Sequence, residues 1–172
     1  MSFHHIAIAT TDMKATHRFY TEAMGFELVR VEKANTGPGE GWAKHFFYDT
    51  GNGELMAFWE IHSEEIGNDF PTSISGGLGL PKWSNHIAFG VADQSEFEAA
   101  IARINAAGYD ALEIDHHWCK SIYVDDPNDI MVEFCMTTRE FDEEDKRQAL
   151  EALEADTLAD EPAPIVTMHK AA

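Results

Sequence analysis

The chain has 172 residues, 44% of them hydrophobic, with a formal net charge of -19. That is enough to bury a core as one domain or as two small fused modules. The charge argues against a nucleic-acid partner, because phosphates repel a surface without concentrated Lys and Arg, and the 12 such residues are scattered.

Part of that charge is local: between Arg139 and Glu161 ten acidic residues stand against three basic ones. No apolar run approaches the roughly 18 residues of a membrane span. The start, MSFHHIAIATTD, lacks the basic segment and long apolar core of a signal peptide, so the expected setting is the cytoplasm with no membrane partner. Cys119 and Cys135 have no CxxC spacing and read as free thiols of a reducing compartment.

In chain order, FHHIAIA at 3–9 reads as a buried strand ending in the cap signal Thr10-Thr11-Asp12. A helix follows through Met24, with Phe19, Tyr20, Ala23 and Met24 as its apolar face and Gly25 as its left-handed stop. FELVRVEKAN is a second strand, TGPGEGW a loop, Lys44 to Asp49 a third strand, and GNG at 51–53 a hairpin turn into a fourth, Glu54 to Ile61. Residues 62–83, rich in Gly and Pro, form a linker.

The plan then repeats. His86-Ile-Ala-Phe answers His5-Ile-Ala-Ile, Asp93 answers Asp12, and a helix with a capping box from Ser95 to Glu98 packs Phe97, Ile101 and Ile104 and stops at Gly108. Tyr109 to Ile114, Trp118 to Val124 and Ile130 to Met136 are three more strands, separated by the polar break Asp115-His116-His117 and the turn DDPND. The expected fold is α+β: two tandem β-α-β-β-β modules, residues 1–61 and 84–137, forming one cup-shaped mixed sheet. Residues 138–172 form an acidic helical extension with Phe141, Leu150 and Leu153 as its packing face, then an aperiodic tail from Asp156.

Three ligand-type residues stand at matching places: His5 and His86 on the first strand of each module, and Glu133 on the last strand of the second. Alternation puts Glu133 on the face of Met131 and Cys135, opposite Val132 and Phe134. A lone histidine in an apolar strand is usually a packed core residue. The same histidine in two repeats, with a carboxylate inside MVEFC that needs a partner, points instead to a metal. Two imidazoles and a carboxylate suit non-haem iron(II) with open positions, and also zinc, manganese or nickel.

HHIAIATTD with FYTEAMGF, NHIAFGVAD and above all SIYVDDPNDIMVEF resemble the vicinal oxygen chelate superfamily, which includes glyoxalase I, fosfomycin-resistance transferases, bleomycin-resistance proteins and type I extradiol dioxygenases. The resemblance covers about residues 3–137 and implies paired modules cupped around one metal held by His5, His86 and Glu133. Glyoxalase I takes a fourth ligand from the last strand of its first module. Aligning Asp49 with Asp126 puts Met56 there, and Glu60 reaches the site only in another register.

Two His and one Glu resemble instead the extradiol dioxygenases, which commonly carry a Tyr ten residues before the ligand Glu, where Tyr123 stands, with His116 and His117 upstream as proton carriers. Those enzymes also tend to carry an acid-base His where this chain has Thr72. The resemblance therefore implies an iron(II) dioxygenase acting on a small catechol- or hydroquinone-like molecule. A glyoxalase-type lyase or isomerase and a metal-free small-molecule binding protein are the alternatives. A homodimer is expected from exposed sheet edges.

Overall fold

A computed structural model describes residues 2–36, 41–157 and 162–171. Part of the expected Gly-rich loop, residues 37–40, and part of the tail, residues 158–161, lie outside the described residues.

The first module starts with strand β1 (His5–Thr10) and helix α1 (Met13–Arg18). Asp12 caps the helix, its carboxylate accepting from the Ala15 N–H at 2.9 Å. The helix then widens into a π-helical turn over Phe19–Ala23, closed by the Met24 N–H donating to the Phe19 carbonyl at 3.0 Å. The widening seats Phe19, Tyr20 and Ala23 in the core together. Gly25 follows at φ +77°, where an added Cβ would lie 2.7 Å from the Arg103 Nε, so left-handed backbone and close approach both demand glycine. Strands β2 (Glu27–Asn35), β3 (Trp42–Gly51) and β4 (Glu54–His62) complete the module.

The linker carries two 3-10 turns, Gly76–Leu78 and Lys82–Ser84, and is anchored through Ser75, whose hydroxyl accepts from the Asn85 N–H at 2.9 Å. The second module repeats the plan with β5 (His86–Gly90), α2 (Gln94–Ala106), β6 (Ala111–Asp115), β7 (Cys119–Asp125) and β8 (Met131–Thr137). The α2 cap is Asp93 rather than Ser95. Its carboxylate accepts from the Glu96 N–H, and Glu96 reaches back to the Ala92 N–H, because a strand ending at Gly90 lets the helix start earlier.

The strands form two mixed sheets of α+β type, ordered β1-β4-β3-β2 and β5-β8-β7-β6-β9, where β9 is Ile165–His169. The aperiodic tail is thus corrected: five of its residues pair antiparallel with β6, held by His169 on Glu113 at 2.7 Å and Lys170 on Asp110 at 2.6 Å. Too short and too mixed to show a period, the segment is fixed by tertiary pairing. Helix α3 (Glu143–Glu154) forms, but Leu150 and Leu153 of the expected packing face are exposed, and Phe141, itself more than half exposed, lies ahead of the helix with its ring 5.0 Å from that of Trp118. A capping box at Asp142 and Asp145 and the Arg147 pairs with Glu144 and Glu151 hold it instead.

The core lies on the helix side of both sheets and is shared. Phe26 packs on Phe89 at 4.9 Å, Phe19 on Tyr109 at 5.0 Å, and Tyr20 on Phe58 at 4.5 Å between ring centres. Arg103 of α2 donates to the carbonyls of Ala23 and Met24, both at 3.0 Å, capping the end of the first module's helix. Among the described residues no helix is long and apolar enough to cross a membrane.

Candidate functional site

Because the helix side of each sheet is filled, the opposite face is open, and strand register decides which residues reach it. In the second sheet Ala88 pairs with Glu133 and Glu133 with Tyr123, so these share the open face with Met131, Cys135 and Ser121. Glu133 is 4% exposed, and its Oε2 lies 3.0 Å from His86 Nε2. The other imidazole nitrogen, Nδ1, lies 3.0 Å from the Trp83 carbonyl oxygen, which only an N–H can satisfy. With Nδ1 turned to that carbonyl, Nε2 and Oε2 are left facing one another at the spacing of two atoms that can share one cation.

Tyr123 stands across the strands from Glu133, its ring centre 6.0 Å from that of His86. Burial, with the Glu133 charge adding to it, pushes the phenol up to about 12, so at neutral pH it is a hydrogen-bond donor. Its hydroxyl lies 3.2 Å from His116 Nε2. His117, held at φ +68° by its backbone N–H on Asp115, turns away, and its Nε2 meets the Ala163 carbonyl at 3.2 Å. Of the paired histidines, only His116 is brought to Tyr123.

His5 lies on β1, the outer strand of the first sheet, facing the same way as Ala7 and Ala9. Its Nδ1 is 2.8 Å from His4 Nδ1, and its ring leans on His45 at 6.2 Å and Phe47 at 5.8 Å. A cleft of about 230 Å³ runs along the seam between the two outer strands, lined by Ile6, Leu55 and Met56 on one side and His86 to Phe89 on the other. Among the described residues no three His, Cys, Asp or Glu side chains are drawn together as around one ion. The structure brings His86 and Glu133 together and leaves His5 with its own sheet. The chemistry of that pair, an anchored imidazole beside a buried carboxylate, fits a divalent cation.

The position matching Glu133 in the first module is corrected. His5 pairs with Leu55 as His86 pairs with Met131, which makes Ala57, not Met56, the counterpart of Glu133. Asp49 pairs with Leu55 as Asp125 pairs with Met131, so the alignment on Asp126 is one residue off, and a one-residue slip reverses the face. Glu60 pairs with Thr10, lies on the other face from Ala57, and contacts Lys44 and His62.

Three residues of the open face escape the sequence reasoning. His45 stacks on Trp59 at 3.8 Å with an 11° tilt and meets Phe47 at 4.1 Å with the rings inclined by 52°, making with His5 an aromatic wall on the first sheet. His45 is 6% exposed and its Nε2 has no partner among the described residues. Burial, then the neighbouring His5, pulls its pKa below the ordinary imidazole value against the opposing pull of Glu32. Alternation in WAKHFFYD sets His45 and Phe47 on one face, but only the pairing of β3 with β4 tells which.

The chain belongs to the Glyoxalase/Bleomycin resistance protein/Dioxygenase superfamily, whose model matches residues 2–134. Among solved structures it resembles a glyoxylase/bleomycin resistance protein/dioxygenase domain from Frankia sp. EAN1pec, at 18% identity over 80% of this chain and 98% of that one, TM-score 0.59. The fosfomycin resistance protein FosX from Listeria monocytogenes is 19% identical over 80% of this chain and 94% of that one, TM-score 0.55. A glyoxalase family protein from Enterococcus faecalis is 23% identical over 78% and 96%, TM-score 0.54. At these identities the likeness is one of fold. No curated protein matches the chain.

Proposed function

We propose that this superfamily member is a mononuclear metal enzyme of extradiol type, acting on a small aromatic molecule that carries two oxygens. The observation that carries the reading is the His86 and Glu133 pair at 3.0 Å with Tyr123 directly across from Glu133. His86 and Glu133 would hold the ion, with His5 as third ligand from the facing edge of the seam. Bound iron(II) would polarise both substrate oxygens and give access to redox chemistry with oxygen. Tyr123 donates its hydroxyl hydrogen bond to a substrate oxygen, and His116 takes up or returns the proton at the Tyr123 hydroxyl. The wall of His45, Phe47 and Trp59 offers ring faces to an aromatic substrate. With Ala57 at the place matching Glu133, that strand supplies no fourth carboxylate, unlike glyoxalase I.

Oxygen uptake by iron(II)-loaded protein with a panel of catechols and hydroquinones tests this. Uptake is expected with at least one class and none after His86→Ala. Absence of uptake throughout, together with enediolate-type isomerase or lyase activity, would move the protein to the glyoxalase branch. A second reading, a metal-free binding protein, is favoured by His5 standing apart from the other two donors. It predicts protein that retains no iron, zinc or manganese and binds its ligand regardless. A homodimer belongs to the leading reading as well, since among the described residues β9 is an edge strand of its sheet, and sedimentation tests it.

A further inference from the structure

The matched family region ends at residue 134, ahead of α3 and β9. Strand β9 lengthens the sheet that carries the candidate site, and its register sets what it adds. Met168 pairs with Leu112, Leu112 with Tyr123, and Tyr123 with Glu133: one row, one face. In the next row Val166 pairs with Ile114, Ile114 with Ser121, and Ser121 with Cys135. The open face therefore continues past Tyr123 into a shelf of Leu112, Ile114, Val166 and Met168 with no charged side chain among them. Val166 is 58% and Met168 50% exposed, apolar surface set beside the candidate site in a chain of net charge -19.

We infer that this shelf is a specificity subsite for an apolar substituent of the substrate, so that the ligand is an aromatic diol bearing an alkyl or similar hydrocarbon arm. The inference rests on the proposed function for where the oxygens sit. The occupant follows from continuity: the shelf lies in the rows of Glu133 and Tyr123 and begins where the polar part of the face ends. Strand spacing of about 4.8 Å puts Met168 about 14 Å from Glu133 along the sheet, the reach of a ring plus several methylenes. Met is suited to such a surface, being unbranched and adaptable to chains of different shape.

The test uses the full chain loaded with zinc(II) and a series of catechol, 4-methylcatechol, 4-butylcatechol and 4-hexylcatechol. Dissociation constants come from calorimetry, and the Met168 methyl is followed by NMR in 13C-methyl-methionine protein, assigned through Met168→Leu. Affinity is expected to rise about fourfold per buried methylene, the Met168 resonance to move with the hexyl compound and not with catechol, and the slope against chain length to vanish in Val166→Thr/Met168→Gln. A flat series, or a Met168 signal unmoved by the hexyl compound, overturns the shelf whatever catechol does. If catechol fails to bind while the hexyl compound still shifts Met168, the shelf stands and the diol reading falls.

Discussion

His86 holds its Nδ1 3.0 Å from the Trp83 carbonyl and its Nε2 3.0 Å from the Glu133 carboxylate, so one imidazole nitrogen is taken by the backbone and the other faces the buried acid. A cation that takes that place binds the folded state only and stabilises it by about 2.7 kcal/mol at a hundredfold excess over Kd. For a chain of this size that is a rise in Tm of about 5 to 10 °C. The rise is expected in wild type with iron(II), zinc or manganese and is expected to disappear in His86→Ala and Glu133→Ala. Differential scanning calorimetry beside elemental analysis measures it, and a wild-type Tm indifferent to all three metals would contradict the metal reading.

A second prediction concerns the tie between the modules. Asp126 is 5% exposed and accepts four hydrogen bonds: from the Asn128 and Ile130 backbone N–H groups, from the Asn128 amide, and from the Tyr20 hydroxyl at 3.1 Å. Tyr20→Phe removes one of these and is expected to cost about 1 to 2 kcal/mol in urea unfolding. Asp126→Ala strands several buried donors at once and is expected to cost about 3 kcal/mol or more. Equal losses for the two would mean the donors find other partners.

Both modules and their order were legible because the repeat is carried by local signals: a His-led apolar strand, an Asp cap, a helix and a Gly stop. The face of Glu133 was legible too, since alternation within MVEFC needs no partner strand. What was not legible was register. The slip between Met56 and Ala57 turns on one residue of a hairpin, and His45 joins the open face only through its pairing with Trp59. Strand β9 was hidden for a related reason: IVTMH is fixed by the edge of β6, whose paired residues lie 50 to 58 positions earlier in the chain.

The third prediction is a pH dependence. Burial lowers the His45 pKa in the fold below the value of 6.5 that it has when unfolded. A depressed pKa means that the neutral form is the one the fold prefers. The stabilisation is complete above about pH 6.5 and is lost as pH falls through the lower folded value. His45→Phe keeps an aromatic between Trp59 and Phe47 and removes the titration, so urea midpoints of wild type and variant are expected to diverge from pH 7 down to pH 5. Parallel curves over that window would show that His45 does not carry the effect.

The last prediction separates Tyr123 from the residue behind it. With its pKa pushed up to about 12, Tyr123 is a hydrogen-bond donor at neutral pH, and in the proposed reaction a donor aimed at developing oxyanion charge would be worth on the order of 10²-fold in rate. Tyr123→Phe is expected to lower kcat for oxygen uptake by that order while metal content stays the same. In the proposed reaction His116 acts through the Tyr123 hydroxyl, 3.2 Å away, as a positioning residue. His116→Gln should therefore lower kcat less than Tyr123→Phe. In the double variant it should lower kcat no further, because the hydroxyl through which it acts is gone. Losses that multiply in the double variant would place His116 on the substrate independently, and a double variant equal to Tyr123→Phe alone confirms the order His116, Tyr123, substrate.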